Sequence, residues 1–183
     1  MRKTLVMGLG GAGMNIASRV KQELGCDVLA VNTNAETLAN SSFDQRLQIG
    51  ISTCEGKPAQ SVHRGQLAAE ESLEDLRYSI RGADRLILLA GLGGGTATGA
   101  APVIIDLALE LGSKVTLVAT LPFEFEKPQR AAAQEALTKL EKKNIELVLH
   151  DHAKAMQPGK ALTDYYNQAS ADIAADVEKL LAK

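Results

Sequence analysis

Short apolar runs that end at glycine alternate along the chain with longer stretches whose apolar residues recur every three or four positions. The first pattern is that of a buried strand and the second that of an amphipathic helix. On this basis strands are predicted at 4–7, 28–31, 47–49, 85–90, 114–120 and 145–149. Helices are predicted at 15–24, 62–81, 98–111, 128–143 and 159–181. The 15–24 segment places Ile16, Ala17, Val20 and Leu24 on one face and stops before Gly25, a helix terminator. The 128–143 segment opens on Pro128, which a first helical turn tolerates. The pattern is weakest over 40–58, where loops are expected. Strand and helix alternate from end to end, which predicts an α/β fold: a doubly wound, mostly parallel sheet with helices on both faces.

Composition sharpens this picture. Apolar residues make up 45% of the 183 positions but aromatics only 3%, with no Trp, so the core is built from Leu, Val, Ile and Ala. That suits a parallel sheet covered by helices. The length predicts one domain over 1–183. Leu162, Tyr166, Ala169, Ile173, Val177 and Leu180 form one apolar stripe on the last helix, which predicts that the chain ends naturally with it. A net charge of −2 points away from nucleic acid. No apolar run reaches membrane-spanning length, so no membrane insertion is expected. Arg2 and Lys3 lead into a run too short for a secretory signal, and Cys26 and Cys54 lack metal or CxxC spacing. Free thiols in a reducing, cytoplasmic setting are expected.

The candidate chemistry lies in two glycine-rich loops, each between a strand and a helix. The first runs Gly8-Leu9-Gly10-Gly11-Ala12-Gly13-Met14-Asn15. Glycines allow close approach of a ligand to the backbone, and the helix that follows offers free amides and the positive end of a dipole. Together these suit a phosphate. Gly8, Gly10 and Gly13 also fit the GxGxxG pattern of Rossmann-like dinucleotide sites. The acid expected after the second strand of such a site is replaced by Asn32-Thr33-Asn34, which counts against NAD. The second loop, Gly91-Leu92-Gly93-Gly94-Gly95-Thr96-Ala97-Thr98-Gly99, is the stronger signal. So many glycines cost backbone entropy on folding, and successive amides can cradle phosphate oxygens. No Lys follows them, so this is not a Walker loop.

These motifs resemble the tubulin and FtsZ family of GTPases. Gly93–Gly99 reads GGGTATG against the family's GGGTGTG, and Gly10–Asn15 is similar to its first loop. Ala30-Val31-Asn32-Thr33-Asn34-Ala35 and Pro122-Phe123-Glu124-Phe125-Glu126 with Arg130 resemble two further segments, in the same order. The resemblance implies a site for GTP or GDP. Gly10, Gly11, Ala12, Gly13 and Asn15 would lie against the nucleotide. Gly94, Gly95, Thr96, Ala97, Thr98 and Gly99 would cradle the phosphates. Glu126 would accept from the ribose hydroxyls, Arg130 would add charge and donors, and Tyr166 would stack on the guanine. Mg²⁺ would bind through phosphate oxygens and waters. No protein metal ligand and no catalytic residue is assigned. The chain departs from the family at Met14 and Ala97, over 55–61, where most glycines are missing, and at Ser170, where the family carries Asn or Asp.

Other polar groups have blander explanations. His150-Asp151-His152 is expected to be a surface turn rather than a metal site. Glu70, Glu71, Glu74 and Asp75 read as an exposed helix face, as do Asp172 and Asp176, and 139–143 as a solvated helix end. The function implied is binding of GTP or GDP, with slow or assembly-dependent hydrolysis in a homo-oligomer or filament. The alternatives are a non-catalytic regulator or partner of a full-length FtsZ and, on the GxGxxG pattern, a dinucleotide-dependent oxidoreductase.

Overall fold

The computed structural model describes residues 3–183; Met1 and Arg2, the latter invoked above, lie outside the described residues. Six strands form one parallel sheet: β1 (Thr4–Leu9), β2 (Val28–Asn32), β3 (Gln45–Gln48), β4 (Arg85–Gly91), β5 (Lys114–Leu121) and β6 (Glu146–Asp151). Their order is β3-β2-β1-β4-β5-β6, with every neighbouring pair parallel. The chain therefore winds outward in both directions from β1 and β4, and loops from either side of that divide meet at the carboxyl ends of the strands.

The residue pattern of β4 explains the two-sided core. Ile87 and Leu89 point to one face, where Ile16, Ala17 and Val20 of α1 (Gly10–Leu24) meet Ile173, Val177 and Leu180 of α9 (Leu162–Leu181). Leu86, Leu88 and Ala90 point to the other, against α6 (Gly95–Glu110), α4 (Val62–Glu71), α5 (Leu73–Ile80) and α7 (Lys127–Leu140). Alternate residues of one strand thus fill two separate cores.

Several elements differ from expectation. Helices α1 and α6 begin at Gly10 and Gly95, inside the glycine loops and not after them. Gly10, with φ of 71°, turns the chain straight from β1 into helix. The 62–81 helix is two helices, broken at Ser72, whose Oγ accepts from the Gly50 amide at 2.9 Å. The 40–58 region holds β3, two residues earlier than predicted, and a short α3 (Ile51–Cys54). Another unanticipated helix, α2 (Ala35–Ala39), is capped by Asn34. Glu71 is not a free surface acid: it accepts from the Ser52 and Thr53 amides at 2.8 Å each and holds the start of α3. On α9 the stripe rotates at its first turns: Tyr165 is buried, while Leu162 and Tyr166 are exposed. Asp176 is half-buried, with one oxygen 3.2 Å from His150 Nε2.

Candidate functional site

The two glycine loops face one cavity of about 310 Å³ at the carboxyl ends of β1, β4 and β5. Gly10, Gly11 and Ala12 line one wall and Gly93, Gly94, Gly95, Thr96 and Ala97 another. Because α1 and α6 start within these stretches, their first-turn amides and positive dipole ends converge on the same space. A second cavity of about 290 Å³ opens between α1 and α9, lined by Asn15, Ile16, Ala169 and Ser170. Thr120, His152, Tyr166 and Ala12 line both, so the two adjoin.

The sixteen glycines separate by what a methyl group would meet. Six sit at φ between +60° and +120° without any atom of another residue closer than 3.4 Å to that methyl, and are there for the turn: Gly10, Gly25, Gly56, Gly82, Gly112 and Gly159. Others are there for close packing. A Cβ on Gly13 would lie 2.4 Å from Leu89 O, on Gly65 2.1 Å from Gly95 O, and on Gly99 2.0 Å from Val62 O. Gly11 and Gly94 fit neither class. Neither has a left-handed φ, and nothing lies within 4 Å of a Cβ at either. The fold itself does not require glycine there, yet both line the cavity. Glycine leaves the backbone at these two positions open to close approach by a ligand.

Not every residue named from the sequence reaches this space. Gly13 and Gly99 are packing glycines. The Thr98 hydroxyl accepts from the Gly93 amide at 2.7 Å and shapes the loop from behind. The Thr96 hydroxyl lies 3.0 Å from that of Thr33, tying the loop to the end of β2. Glu126 lines the cavity and accepts from the Phe123 amide at 2.9 Å. Arg130 turns to Asp151, with Nη1 and Nη2 at 2.9 and 3.0 Å from its two oxygens, and also donates to Pro122 O. The Arg130 guanidinium holds the Asp151 carboxyl below the usual carboxylate range. Asp151 in turn caps α8 (His152–Ala155) through the Ala153 amide at 3.0 Å.

That cap places a residue that the sequence reading put on the surface. His152 is buried, its ring stacked on Phe123 at 5.0 Å and edge-on to Tyr166 at 5.1 Å. Burial pushes its pKa down, which favours the neutral imidazole. His150 is the fifth residue of β6 and not part of a turn. The signal for His152 was its place directly after a strand, where open α/β sheets bind ligands. Thr120 at the end of β5 and Gln129 on α7 were also not anticipated. Tyr166 stands edge-on to Phe123 at 5.6 Å, with half its surface free; burial of the rest, then the Glu126 charge, raises its pKa.

Among the described residues no group of three or more His, Cys, Asp or Glu is placed to hold a metal ion. No helix among them is long and apolar enough to cross a membrane.

Residues 3–157 match the Tubulin/FtsZ family, GTPase domain. A cell division protein FtsZ of Methanothermobacter thermautotrophicus is 42% identical over 143 residues, covering 76% of this chain and 38% of that protein. The FtsZ of Wigglesworthia glossinidia brevipalpis is 36% identical, covering 90% of this chain and 45% of the relative. The chain thus spans less than half the length of these curated relatives. Among solved structures, an empty FtsZ dimer of M. jannaschii superposes with a TM-score of 0.89 at 32% identity, over 98% of this chain and 54% of that one. A GTPγS-bound protofilament of CetZ2 from Haloferax volcanii gives 0.84 at 26% identity, over 98% and 58%.

Proposed function

The chain belongs to the tubulin/FtsZ family of GTPase domains, and from that premise we propose that residues 1–183 form a domain that binds GTP or GDP across the two adjoining cavities. The phosphates lie at the N-termini of α1 and α6, against Gly10, Gly11, Ala12 and the run from Gly94 to Ala97. The ribose lies by Glu126, and the base stacks on Tyr166 beside Asn15. The observation that carries this reading is the pair Gly11 and Gly94, two glycines the fold does not need, on facing walls of one cavity. The residues present fit a phosphate chain: uncovered backbone, two helix dipoles and the Thr96 hydroxyl. Mg²⁺ joins through phosphate oxygens and waters, which it retains readily.

The reading extends to hydrolysis that depends on assembly, in the cytoplasm. Among the described residues, the ionisable side chains lining either cavity are Glu126, His152 and Tyr166. Glu126 is committed to the Phe123 amide, and the rings of His152 and Tyr166 pack against each other and against Phe123. Phosphoryl transfer to water needs a group that orients the nucleophile, and a second copy stacked over the open phosphate end supplies it. Failing turnover, the same nucleotide face serves a non-catalytic partner of a full-length FtsZ. The test is to denature the purified protein, identify released nucleotide by chromatography, and follow GTP turnover against protein concentration. Released guanine nucleotide with turnover rising faster than linearly supports an assembling GTPase. Bound nucleotide without turnover supports the regulator, and no binding at all refutes the site.

A further inference from the structure

The cavity between α1 and α9 shares Thr120, His152 and Tyr166 with the phosphate cradle and adds Asn15 and Ser170. Besides the Tyr166 phenol, its polar side chains are Asn15, Thr120, His152 and Ser170, set among Ala12, Ile16 and Ala169. None of the four is hydrogen-bonded through its side chain to another described residue. Thr120 and His152 are only 7% and 6% exposed, yet no side-chain nitrogen or oxygen sealed from solvent lacks a partner among the described residues. The small surface these two retain therefore includes their free polar atoms, at the junction where both residues line this cavity and the glycine-loop cavity.

All four groups can both donate and accept. Hydroxyls rotate, the Asn15 amide carries both functions, and the neutral His152 ring has one nitrogen of each kind. Among the described residues no carboxylate lines this cavity. Guanine presents two adjacent donors on its pairing edge, N1–H and N2–H₂, for which a carboxylate is the matched acceptor. Adenine presents a donor and an acceptor side by side, N6–H₂ and N1, and a carboxylate repels the latter. A site enforces one base strongly when the wrong one leaves its polar groups unpaired, and groups of this adaptable kind pair with either edge.

We propose that this compartment accepts adenine nucleotides as well as guanine nucleotides, with Ser170 as the residue that leaves the choice open. This rests on the nucleotide-binding reading above and extends it to a second ligand. The test is isothermal titration of the 183-residue chain with GDP and with ADP, both in Mg²⁺, repeated for Ser170→Asp. The expected dissociation constants of the unmodified chain lie within about tenfold of each other, about 1.4 kcal/mol. In Ser170→Asp the ratio shifts toward GDP by about tenfold or more, as expected for a carboxylate spanning two base donors. Ser170 is half-buried on α9, and a thermal melt checks that the variant folds. If it does not, the ratio in the unmodified chain decides alone. A preference for GDP well beyond tenfold in that chain, or an unchanged ratio in a folded Ser170→Asp, overturns the proposal while leaving the nucleotide site standing. Binding of neither ligand overturns the site itself.

Discussion

Two adjacent glycines should respond in opposite ways to the same added methyl group. Gly94 sits at φ −81°, ψ 158°, an extended conformation open to any residue, with no atom within 4 Å of where that methyl would lie. Gly94→Ala should gain about 0.4–1 kcal/mol by restricting the unfolded chain. It should lose a similar amount because alanine is a poorer helix N-cap than glycine. The net change is within about 0.5 kcal/mol, or roughly 2 °C in Tm for a chain of this length. Gly95 has the Ser61 amide nitrogen 2.7 Å, its carbonyl oxygen 2.9 Å and its carbonyl carbon 3.0 Å from the same methyl. These are backbone atoms that no rotamer change relieves, so Gly95→Ala should cost about 1–3 kcal/mol, a fall of roughly 4–8 °C at about 2 kcal/mol. Nucleotide affinity should follow a different order. The Gly94 methyl enters the space assigned to phosphate, and GDP binding should weaken by about tenfold or more, about 1.4 kcal/mol, with the melt unchanged. Paired thermal melts and GDP titrations on both variants read this out. A Gly94→Ala protein that binds GDP like the parent, or that melts as early as Gly95→Ala, refutes the assignment of Gly94 to the ligand.

Two further outcomes test how the site is held. The Ser52 amide first, then the Thr53 hydroxyl, draws the Glu71 carboxyl from 4.5 down to about 2. A depressed carboxylate contributes stability that is complete above its unfolded pKa and is lost as pH falls toward the folded one. The unfolding free energy of the parent in urea titrations should therefore exceed that of Glu71→Gln at about pH 7, by at most about 1 kcal/mol for so exposed a group. The gap should close between pH 4.5 and about 2, and a gap constant with pH refutes the role. Arg130→Ala strips Asp151 of its bidentate partner and Pro122 O of a donor. It should cost about 1–3 kcal/mol in chemical denaturation, and GDP affinity should fall with it because α8 and His152 lose their anchor; unchanged affinity in a folded variant refutes that linkage.

The sheet was legible because each strand is an apolar run that a parallel sheet buries on both sides. The displaced boundaries share one cause. Glycine reads as loop, but in β1–α1 and β4–α6 it is the residue that lets helix follow strand without a connector, so both helices reach into the loops. β3 and α3 were hard to read because their stability is borrowed. Glu71 and Ser72, from the far end of α4, supply the hydrogen bonds that fix Gly50–Thr53, and no local pattern records a partner so far along the chain. At the site, the glycine walls, Glu126 and Tyr166 were visible as motifs. His152, Thr120 and Gln129 were not, because they are single polar residues whose meaning comes from standing at strand or helix ends beside the cavity. Arg130 was visible as a charge, but its direction depends on Asp151.

The packing also shows why the second loop needs more glycine than any ligand explains. Helix α4 meets α6 at backbone distance: Gly65 faces Gly95 O, and Gly99 faces Val62 O and the Gln66 amide, each too close for a Cβ. Alanine at Gly65 or Gly99 cannot be absorbed by a side-chain shift, since the obstructing atoms are main chain, and the interior of a protein resists such expansion. The strain would pass to the first turn of α6, whose amides face the cavity, and to Ser61, which abuts Gly95. The shape of this cavity wall is therefore set partly by a glycine on a different helix, outside the glycine-rich motif altogether. Gly65 belongs to the architecture of the site without touching its space. The reverse holds for Gly94, which lies in that space and leaves the architecture indifferent.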